Sequence, residues 1–316
     1  MNILLTTRLP KEGFNTLEGH NIIIPDTPYF SKEMLLSHAA ECHVLVPTFD
    51  YPVSNEIINS MPSLKLIANF GVGYNNIDIE AAKKCHIIVT NTPQPTIEPT
   101  AEHTFSLMIA IAHRLAELDR KLRMTNDIEF GVMNNLGTAI SGKTLGIIGM
   151  GRIGRSVARK ARAFDMKIIY HNRHVIPAGE LDFEAKYVGF DDLLRHSDFI
   201  SLNLPYTQEV CHLIDQKAFG KMKPSAILIN TARGAVINEK ALIEALTTKR
   251  IRAAALDVYE HEPDISPELL KLDNVLLSPH IGTGTIEGRL AMCHNVCENI
   301  IYYTNNEFEK MNLVVR

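Results

Sequence analysis

The chain has 316 residues, 46% of them hydrophobic, and a formal net charge of -4 at pH 7. A single hydrophobic core usually stops growing below about 250 to 300 residues, so this length predicts two domains. The weak negative charge gives no field that would gather phosphate backbones or an anionic membrane surface, which argues against nucleic acid and membranes as partners.

Short β-branched runs alternate with helical stretches in the first third of the chain, a pattern typical of an α/β protein. The predicted strands are residues 2–6, 21–24, 43–46, 65–69 and 86–89. Helical patterns cover residues 32–40 and 79–84 between them. These elements predict one open parallel sheet.

Three prolines in residues 90–99 mark a boundary before a long predicted helix over residues 100–124. A second alternating series then begins. Its predicted strands are residues 145–148, 167–170, 199–204, 226–230, 253–258 and 275–277. Six strands with intervening helices indicate a doubly wound dinucleotide-binding sheet, the Rossmann fold. The residues after 284 predict one long amphipathic helix and a short tail.

Other sequence features bear on cellular location and metals. The longest uninterrupted apolar run, residues 107–112, is far shorter than the roughly 18 to 20 residues that cross a bilayer. The amino-terminal residues read as a first strand and not as a leader, so we expect a cytoplasmic protein. Five cysteines without scaffold-like spacing indicate reduced thiols. Cys293, His294 and Cys297 share one predicted helix, but they offer too few ligands, so we expect buried cysteines and no metal.

A glycine-rich turn follows the first strand of the second series. Gly149, Gly151 and Gly154 stand between that strand and a helical pattern, the order that a dinucleotide-binding motif requires. We expect Gly149 to allow the tight turn, Gly151 to admit a pyrophosphate and Gly154 to permit helix–sheet contact. The backbone N–H groups of Arg152 and Ile153 would bind the anion.

The acidic residue that usually binds the adenosine ribose should end the next strand, about 20 residues on. This chain instead has His171, Asn172 and Arg173 there. These side chains offer donors that suit a 2′-phosphate, whereas a carboxylate would repel it. The sequence therefore favours NADP(H) and leaves NAD(H) open, while the alternative is that Arg173 is an ordinary solvated loop residue.

Three charged or titratable residues follow three strands of the second series. Arg233 follows strand 226–230, Glu262 follows strand 253–258, and His280 follows strand 275–277. Doubly wound sheets bind ligands at the carboxyl ends of their strands, so we expect these side chains to meet. The guanidinium can bind a substrate carboxylate, the imidazolium can donate a proton, and the carboxylate can orient the imidazole. This set suits the reduction of a 2-oxo acid without a metal.

Ordered motifs run along nearly the whole chain. They occupy residues 69–78, 89–93, 100–102, 149–154, 202–205, 230–235, 256–263 and 278–282. With these motifs the chain resembles the D-isomer-specific 2-hydroxyacid dehydrogenase family, and within it the glyoxylate/hydroxypyruvate and 2-oxogluconate reductases. The resemblance implies an NAD(P)-dependent oxidoreductase acting on a small 2-oxo or D-2-hydroxy acid.

The resemblance also implies roles for residues and domains. Arg233, Glu262 and His280 match the family's catalytic triad, and the backbone of Val72 and Gly73 matches its substrate-carboxylate cradle. The nicotinamide-side positions fall on Pro205, Thr231 and Asp257. A flavodoxin-like substrate domain of residues 1–99 and 286–316 would receive an inserted Rossmann domain of residues 100–285.

A homodimer is a further expectation, drawn from the resemblance and from the predicted helix that begins at residue 100. Its residues Phe105, Met108, Ile109 and Ala112 exceed one buried stripe, so two such helices could cover each other across a two-fold axis.

Two other functions remain open from the sequence. One is a cofactor-sensing binding module or corepressor, since some relatives keep the same three residues in such a role. The other is a dehydrogenase of a non-hydroxyacid such as formate or phosphite.

Overall fold

The computed structural model describes residues 1–126 and 128–316. Strands run over β1 (Asn2–Leu5), β2 (Asn21–Ile23), β3 (Val44–Val46), β4 (Leu66–Ala68), β5 (Ile88–Thr90), β6 (Thr144–Ile148), β7 (Lys167–His171), β8 (Lys186–Tyr187), β9 (Phe199–Leu202), β10 (Ile227–Asn230), β11 (Ala253–Leu256), β12 (Val275–Leu277) and β13 (Leu313–Val315). Helices run over α1 (Lys32–Ser37), α2 (Asn55–Asn59), α3 (Ile79–Lys84), α4 (Ile97–Ala112), α5 (Leu115–Met124), α6 (Arg152–Arg162), α7 (Phe190–His196), α8 (Gln216–Lys221), α9 (Glu239–Thr247), α10 (Pro267–Leu270) and α11 (Ile286–Thr304).

The chain forms two compact units. Unit 1 comprises Met1–Pro99 and Thr283–Arg316, and unit 2 comprises Thr100–Gly282. Unit 2 is thus inserted into the sequence of unit 1. Within the described part of the chain, no helix is both long enough and apolar enough to span a membrane.

Unit 1 is built on a six-stranded sheet with the order β13-β5-β4-β3-β1-β2. Its first five strands are parallel and follow the order 2-1-3-4-5 that is typical of flavodoxin-like folds. The expectation of a purely parallel sheet is wrong for β13, which pairs antiparallel with β5. This strand has three residues, too few for a periodic pattern, and antiparallel edge strands are common in doubly wound sheets.

Both faces of the unit 1 sheet are buried, because successive side chains of a strand point to opposite faces. Leu4 and Leu45 pack on one face with residues of α1, α2 and α3. Ile3 and Val44 pack on the other face with Phe14 and residues of α11. These two cores explain why the strands of unit 1 read as continuous apolar runs.

Unit 2 is built on a seven-stranded parallel sheet with the order β12-β11-β10-β9-β6-β7-β8. Its first six strands in chain order follow the Rossmann pattern 3-2-1-4-5-6. The short strand β8 was absent from the predicted series, because two residues give no readable alternation. Helices α7, α8 and α9 cover one face of this sheet, and α4 and α6 cover the other.

The long helix predicted over residues 100–124 is wrong in detail, because the structure has two helices there. The first, α4, already begins at Ile97, since Pro99 lies in the first turn, where a missing N–H is tolerated. The break is at Arg114, which has a left-handed backbone with φ 58. There the Ala112 carbonyl accepts the Thr138 N–H at 2.8 Å, and the Arg114 guanidinium binds Glu117 at 2.7 and 2.8 Å.

The apolar residues that suggested a dimer helix are mostly part of a core. Phe105, Met108 and Ala112 are buried inside unit 2, and Ile109 packs against them. A group of exposed apolar side chains lies just beyond α4, and it comprises Leu115, Leu122, Met124, Phe130, Val132, Met133 and Leu136. The expectation that Phe105, Met108, Ile109 and Ala112 form a dimer surface is therefore wrong.

Candidate active site

The glycine-rich turn has a close-packed side and an open side. Gly149 has a φ of 96, which favours glycine. A Cβ on Gly149 would overlap the Asn203 carbonyl, and one on Gly154 would overlap the Gly149 carbonyl. A Cβ on Gly151 would meet no protein atom within 4 Å. The turn is thus packed tightly against the protein at Gly149 and Gly154 and is open to a ligand at Gly151.

Helix α6 starts at this turn and presents backbone donors. Its first intrahelical bond is made by the Arg155 N–H to the Gly151 carbonyl at 2.9 Å, so the N–H groups of Arg152 and Ile153 precede the helical ladder. The described first turn contains no acidic residue that would compete for them. The turn therefore fits the pyrophosphate of a dinucleotide.

The residues after β7 divide into a structural and an exposed part. The Asn172 Oδ1 accepts the Met150 N–H at 2.7 Å, and the His171 carbonyl accepts the Gly149 N–H at 3.0 Å. Asn172 thus holds the glycine-rich turn through its oxygen, a contact that the sequence did not indicate. Arg173 is exposed.

A carboxylate lies within electrostatic reach of Arg173. Glu209 follows β9 in the chain, and its pKa lies below the ordinary value because Thr207 donates to it, with a further contribution from the Arg173 charge. The guanidinium of Arg173 therefore has an acidic neighbour on the loop after β9.

Arg233 follows β10 on a loop that packs against the loop after β11. The Asn230 side-chain N–H donates to the Arg233 carbonyl at 3.0 Å. A Cβ on Gly234 would overlap the Tyr259 carbonyl, which shows how closely the two loops approach. Burial lowers the pKa of Arg233, and the nearby Glu262 charge opposes that effect. A guanidinium stays cationic at neutral pH even so, so this loop carries a fixed, partly buried positive charge.

His280 and Glu262 form a short pair. The His280 Nδ1 lies 2.7 Å from the Glu262 Oε2, while the Glu262 Oε1 accepts the Tyr259 N–H at 2.8 Å. His280 has a left-handed backbone with φ 53, which is uncommon outside glycine and marks a held conformation. The side chains of His280 and Glu262 are 21% and 31% exposed, so both can be reached by a ligand. The structure thus brings Arg233, Glu262 and His280 to one edge of unit 2.

Asp257 sits beneath the loop that carries His280. Its carboxylate is 1% exposed and accepts the Ser278 hydroxyl at 2.7 Å, the Ile281 N–H at 2.9 Å and the Gly282 N–H at 2.8 Å. Burial would raise the pKa of Asp257, but His103 and these donors together hold it below the ordinary value. Both carboxylate oxygens are thereby committed to protein groups.

Two residues of α4 join this site, and the sequence reasoning missed both. The His103 Nε2 lies 3.1 Å from the Asp257 Oδ1, and the Thr104 hydroxyl lies 2.7 Å from the Thr231 hydroxyl. They directly follow the motif at residues 100–102, which was the available signal. Pro205 follows β9 by three residues, at the same carboxyl edge of the sheet.

Val72 and Gly73 lie in unit 1, on the loop between β4 and α3. The Asn69 side chain donates to the Gly73 carbonyl at 2.8 Å, and the Asn91 side chain donates to the Val72 carbonyl at 2.8 Å. Among the described residues, the N–H groups of Val72 and Gly73 donate to no backbone acceptor. The two asparagines thus fix the carbonyls and leave the loop a pair of oriented amides.

Cys293 and Cys297 are buried in the core of unit 1. Burial raises the pKa of Cys293 to about 12 and that of Cys297 to about 11, so both are thiols at neutral pH. Within residues 1–126 and 128–316, no group of three or more His, Cys, Asp or Glu side chains is arranged to hold a metal ion.

Comparisons with known proteins identify relatives of this chain. The model of the D-isomer specific 2-hydroxyacid dehydrogenase NAD binding domain matches residues 105–282, more than half of the chain. A glyoxylate reductase from Thermococcus litoralis is 42% identical over 313 residues, covering 96% of this chain and 94% of the relative.

The chain belongs to the D-isomer specific 2-hydroxyacid dehydrogenase family.

Solved structures extend the comparison. A glyoxylate reductase from Paecilomyes thermophila has a TM-score of 0.85 and 36% identity, covering 99% of this chain and 98% of its own. An NADPH-dependent glyoxylate/hydroxypyruvate reductase from Sinorhizobium meliloti, in complex with NADP and malonate, has a TM-score of 0.84 and 27% identity, covering 96% and 93%. The present chain is therefore an oxidoreductase that uses a nicotinamide cofactor. It transfers a hydride between that cofactor and a small 2-oxo or 2-hydroxy acid.

Proposed function

We propose that Arg233, Glu262 and His280 carry the chemistry of this reductase. The observation that supports this most is the 2.7 Å pair between the His280 Nδ1 and the Glu262 Oε2, next to a loop that holds a partly buried guanidinium. A guanidinium and an imidazolium are the two cations that reduction of a 2-oxo acid needs, one for the carboxylate and one for the carbonyl oxygen.

The three side chains have different roles in this mechanism. When bound, the reduced nicotinamide supplies the hydride. Arg233 binds the substrate carboxylate and polarises the adjacent carbonyl. His280 gives the proton on Nε2 to the carbonyl oxygen, because Glu262 holds its Nδ1. Glu262 thereby also orients the imidazole ring.

The two units take different parts in binding. Unit 2 is the dinucleotide-binding domain, since its glycine-rich turn and the start of α6 fit a pyrophosphate. In this proposal Pro205, Thr231 and Asp257 line the nicotinamide side. Unit 1 is the substrate domain, and the amides of Val72 and Gly73 bind the substrate carboxylate.

Glyoxylate and hydroxypyruvate are the proposed substrates. The relative from Thermococcus litoralis is named a glyoxylate reductase, and the one from Sinorhizobium meliloti is named a glyoxylate/hydroxypyruvate reductase. A guanidinium that binds the carboxylate suits any small 2-oxo acid.

NADPH is the proposed cofactor in preference to NADH. Arg173 is exposed where β7 ends, and the residues before it include no carboxylate that would repel a 2′-phosphate. The relative from Sinorhizobium meliloti is itself named NADPH-dependent.

A homodimer in the cytoplasm completes the proposal. The exposed apolar side chains between residues 115 and 136 include Phe130 at 84%, Val132 at 93% and Met133 at 76% exposure. Apolar patches of this kind mark interaction surfaces, and a two-fold dimer would cover the patch with its own copy. Light scattering should return twice the 35.3 kDa chain mass, and a single-chain mass at micromolar concentration would contradict it.

The function is tested by following NADPH and NADH oxidation with glyoxylate, hydroxypyruvate, 2-oxogluconate and aryl pyruvates. We expect turnover with NADPH and at least one of the first two substrates. Turnover only in NAD+ reduction by formate or phosphite would instead favour a non-hydroxyacid dehydrogenase. Cofactor binding without any turnover would favour a cofactor-sensing module.

The cofactor preference is tested at Arg173. Arg173→Ala should raise the KM for NADPH by about 10- to 150-fold and leave that for NADH unchanged, because a charge-assisted hydrogen bond contributes about 1.5 to 3 kcal/mol. Glu209→Gln is the matched variant and should lower the KM for NADPH, since it removes a competing carboxylate near Arg173. An equal effect of Arg173→Ala on both cofactors would contradict the assignment.

A further inference from the structure

Helix α4 contacts all three loops that carry the proposed catalytic residues. His103 lies 3.1 Å from the Asp257 Oδ1 and 3.1 Å from the Ser278 Oγ. The next residue, Thr104, reaches Thr231 on the Arg233 loop. One turn of this helix therefore contacts the residues that follow β10, β11 and β12.

The Asp257 carboxylate is the link between that helix and the His280 loop. It receives the amides on the carboxyl side of His280, from Ile281 and Gly282, and the hydroxyl of Ser278 on the amino side. A carboxylate with donors from both flanks of a residue fixes the backbone of that residue. This explains how His280 keeps its left-handed φ of 53.

The hydrogen bonds around His103 determine which of its ring nitrogens carries a proton. The Ser278 hydroxyl donates its proton to Asp257 at 2.7 Å. The His103 Nε2 lies near both the Ser278 Oγ and the Asp257 Oδ1, so this nitrogen must carry a proton. The Nε2–H donates to the Asp257 carboxylate, which is 1% exposed and carries a negative charge. A buried charge needs hydrogen-bond donors, and His103 supplies one.

We propose that His103 is a positioning residue for the proton transfer, acting through Asp257 and Ser278 on the loop that holds His280. The inference rests on the proposed role of His280. It adds a second histidine to the reaction, one that touches neither substrate nor proton donor but keeps the donor in place.

The test compares turnover in three variants of the full chain. His103→Leu removes the donor, His103→Gln keeps a neutral N–H donor, and His113→Leu changes an exposed histidine of the same unit as a control. We expect His103→Leu to lower kcat by about 10- to 100-fold, because small misplacements of a catalytic group have effects of this size. The KM for the cofactor should stay within about twofold, His103→Gln should recover most of kcat, and His113→Leu should resemble the wild type.

A double variant shows whether His103 acts through Asp257. If it does, the variant that combines His103→Leu with Asp257→Asn should be no slower than Asp257→Asn alone. Both changes then remove the same support of the His280 loop. Multiplied losses would overturn the proposal. So would a His103→Leu kcat within about threefold of the wild type, or an equal loss in His103→Gln.

Two further variants keep the result interpretable. Should His103→Leu fail to fold, Ser278→Ala removes only the hydroxyl between His103 and Asp257, and it should also lower kcat without changing the cofactor KM. An unchanged kcat there would overturn the proposal. His280→Asn separates the proposed function from the inference on His103. Full turnover in His280→Asn would overturn the proposed function. Lost turnover in His280→Asn together with normal turnover in His103→Leu would overturn the inference on His103 alone.

Discussion

Unit 2 contains two histidine–glutamate pairs whose glutamates, Glu260 and Glu262, lie close together on the loop after β11. Glu262 binds the His280 Nδ1 at 2.7 Å, and Glu260 binds the His212 Nε2 at 2.5 Å. Both histidines have left-handed backbones, with φ 53 for His280 and 54 for His212. The pairs are similar in geometry, yet only the first is proposed to be catalytic.

The surroundings separate them. The other ring nitrogen of His212 meets the Asn238 side chain at 3.4 Å, and Glu260 also accepts the Glu239 N–H at 2.8 Å. His212 is thus tied on both sides to the protein, and its pair fastens the segment after β9 to the loop after β11. A short histidine–carboxylate contact therefore does not identify a catalytic pair by itself. The proposed catalytic pair differs from the second pair in having the guanidinium of Arg233 as a neighbour.

A large effect is expected at that guanidinium. Arg233→Gln should lower kcat/KM for the 2-oxo acid by about 100- to 1000-fold, because it removes the charge that stabilises the developing oxyanion. Arg252→Gln is a matched control, since Arg252 is exposed and precedes β11 at the opposite end of the strand. A loss below about tenfold in Arg233→Gln would remove the feature that distinguishes the two pairs. Steady-state kinetics at saturating cofactor gives both values.

A smaller effect is expected at the two glutamates. Glu262→Gln removes the carboxylate that lies 2.7 Å from the His280 Nδ1, so the imidazole is held less well and kcat should fall by about 10- to 100-fold. Glu260→Gln should leave kcat within about threefold of the wild type. Steady-state kinetics decides this, and an unchanged kcat in Glu262→Gln would make both glutamates structural.

The smallest effect concerns stability. Burial would raise the pKa of Glu260, but the Glu239 N–H and His212 together hold it below the ordinary value of 4.5. A lowered pKa means that ionised Glu260 stabilises the fold above pH 4.5, and that this contribution is lost as pH falls through the folded-state value.

His212→Asn should therefore lower the free energy of unfolding by about 1 to 2 kcal/mol at pH 7. The difference from the wild type should shrink below pH 4.5. Asparagine adopts positive φ readily, so the backbone is not strained. Urea unfolding at pH 7 and pH 3.5 measures this, and a difference independent of pH would contradict the assigned pair.

Much of the site follows from sequence because of a topological rule. Arg233, Glu262 and His280 each come after a strand, and the carboxyl ends of parallel strands meet at one edge. The glycine-rich turn is equally readable, because Gly149 and Gly154 stand where any side chain would overlap backbone.

The remaining features depend on contacts that no local pattern records. His103 and Asp257 are 154 positions apart in the chain, and nothing in either segment announces the other. Asn172 was expected to face the cofactor, but its oxygen is used by the Met150 amide. The break at Arg114 has no glycine or proline to mark it and depends on the bond between Ala112 and Thr138. Such long-range bonds decide details that propensity leaves open.

In the proposed mechanism His280, and not its counterpart His212, donates the proton. Turnover of His280→Asn and His212→Asn at saturating NADPH and glyoxylate tests it most directly, because asparagine fits the left-handed backbone at both positions. General acid catalysis contributes about 100- to 10,000-fold, so His280→Asn should lose at least about 100-fold in kcat while still binding cofactor. His212→Asn should stay within about threefold of the wild type. Near-normal turnover in His280→Asn, or an equal loss in the two variants, would contradict the account.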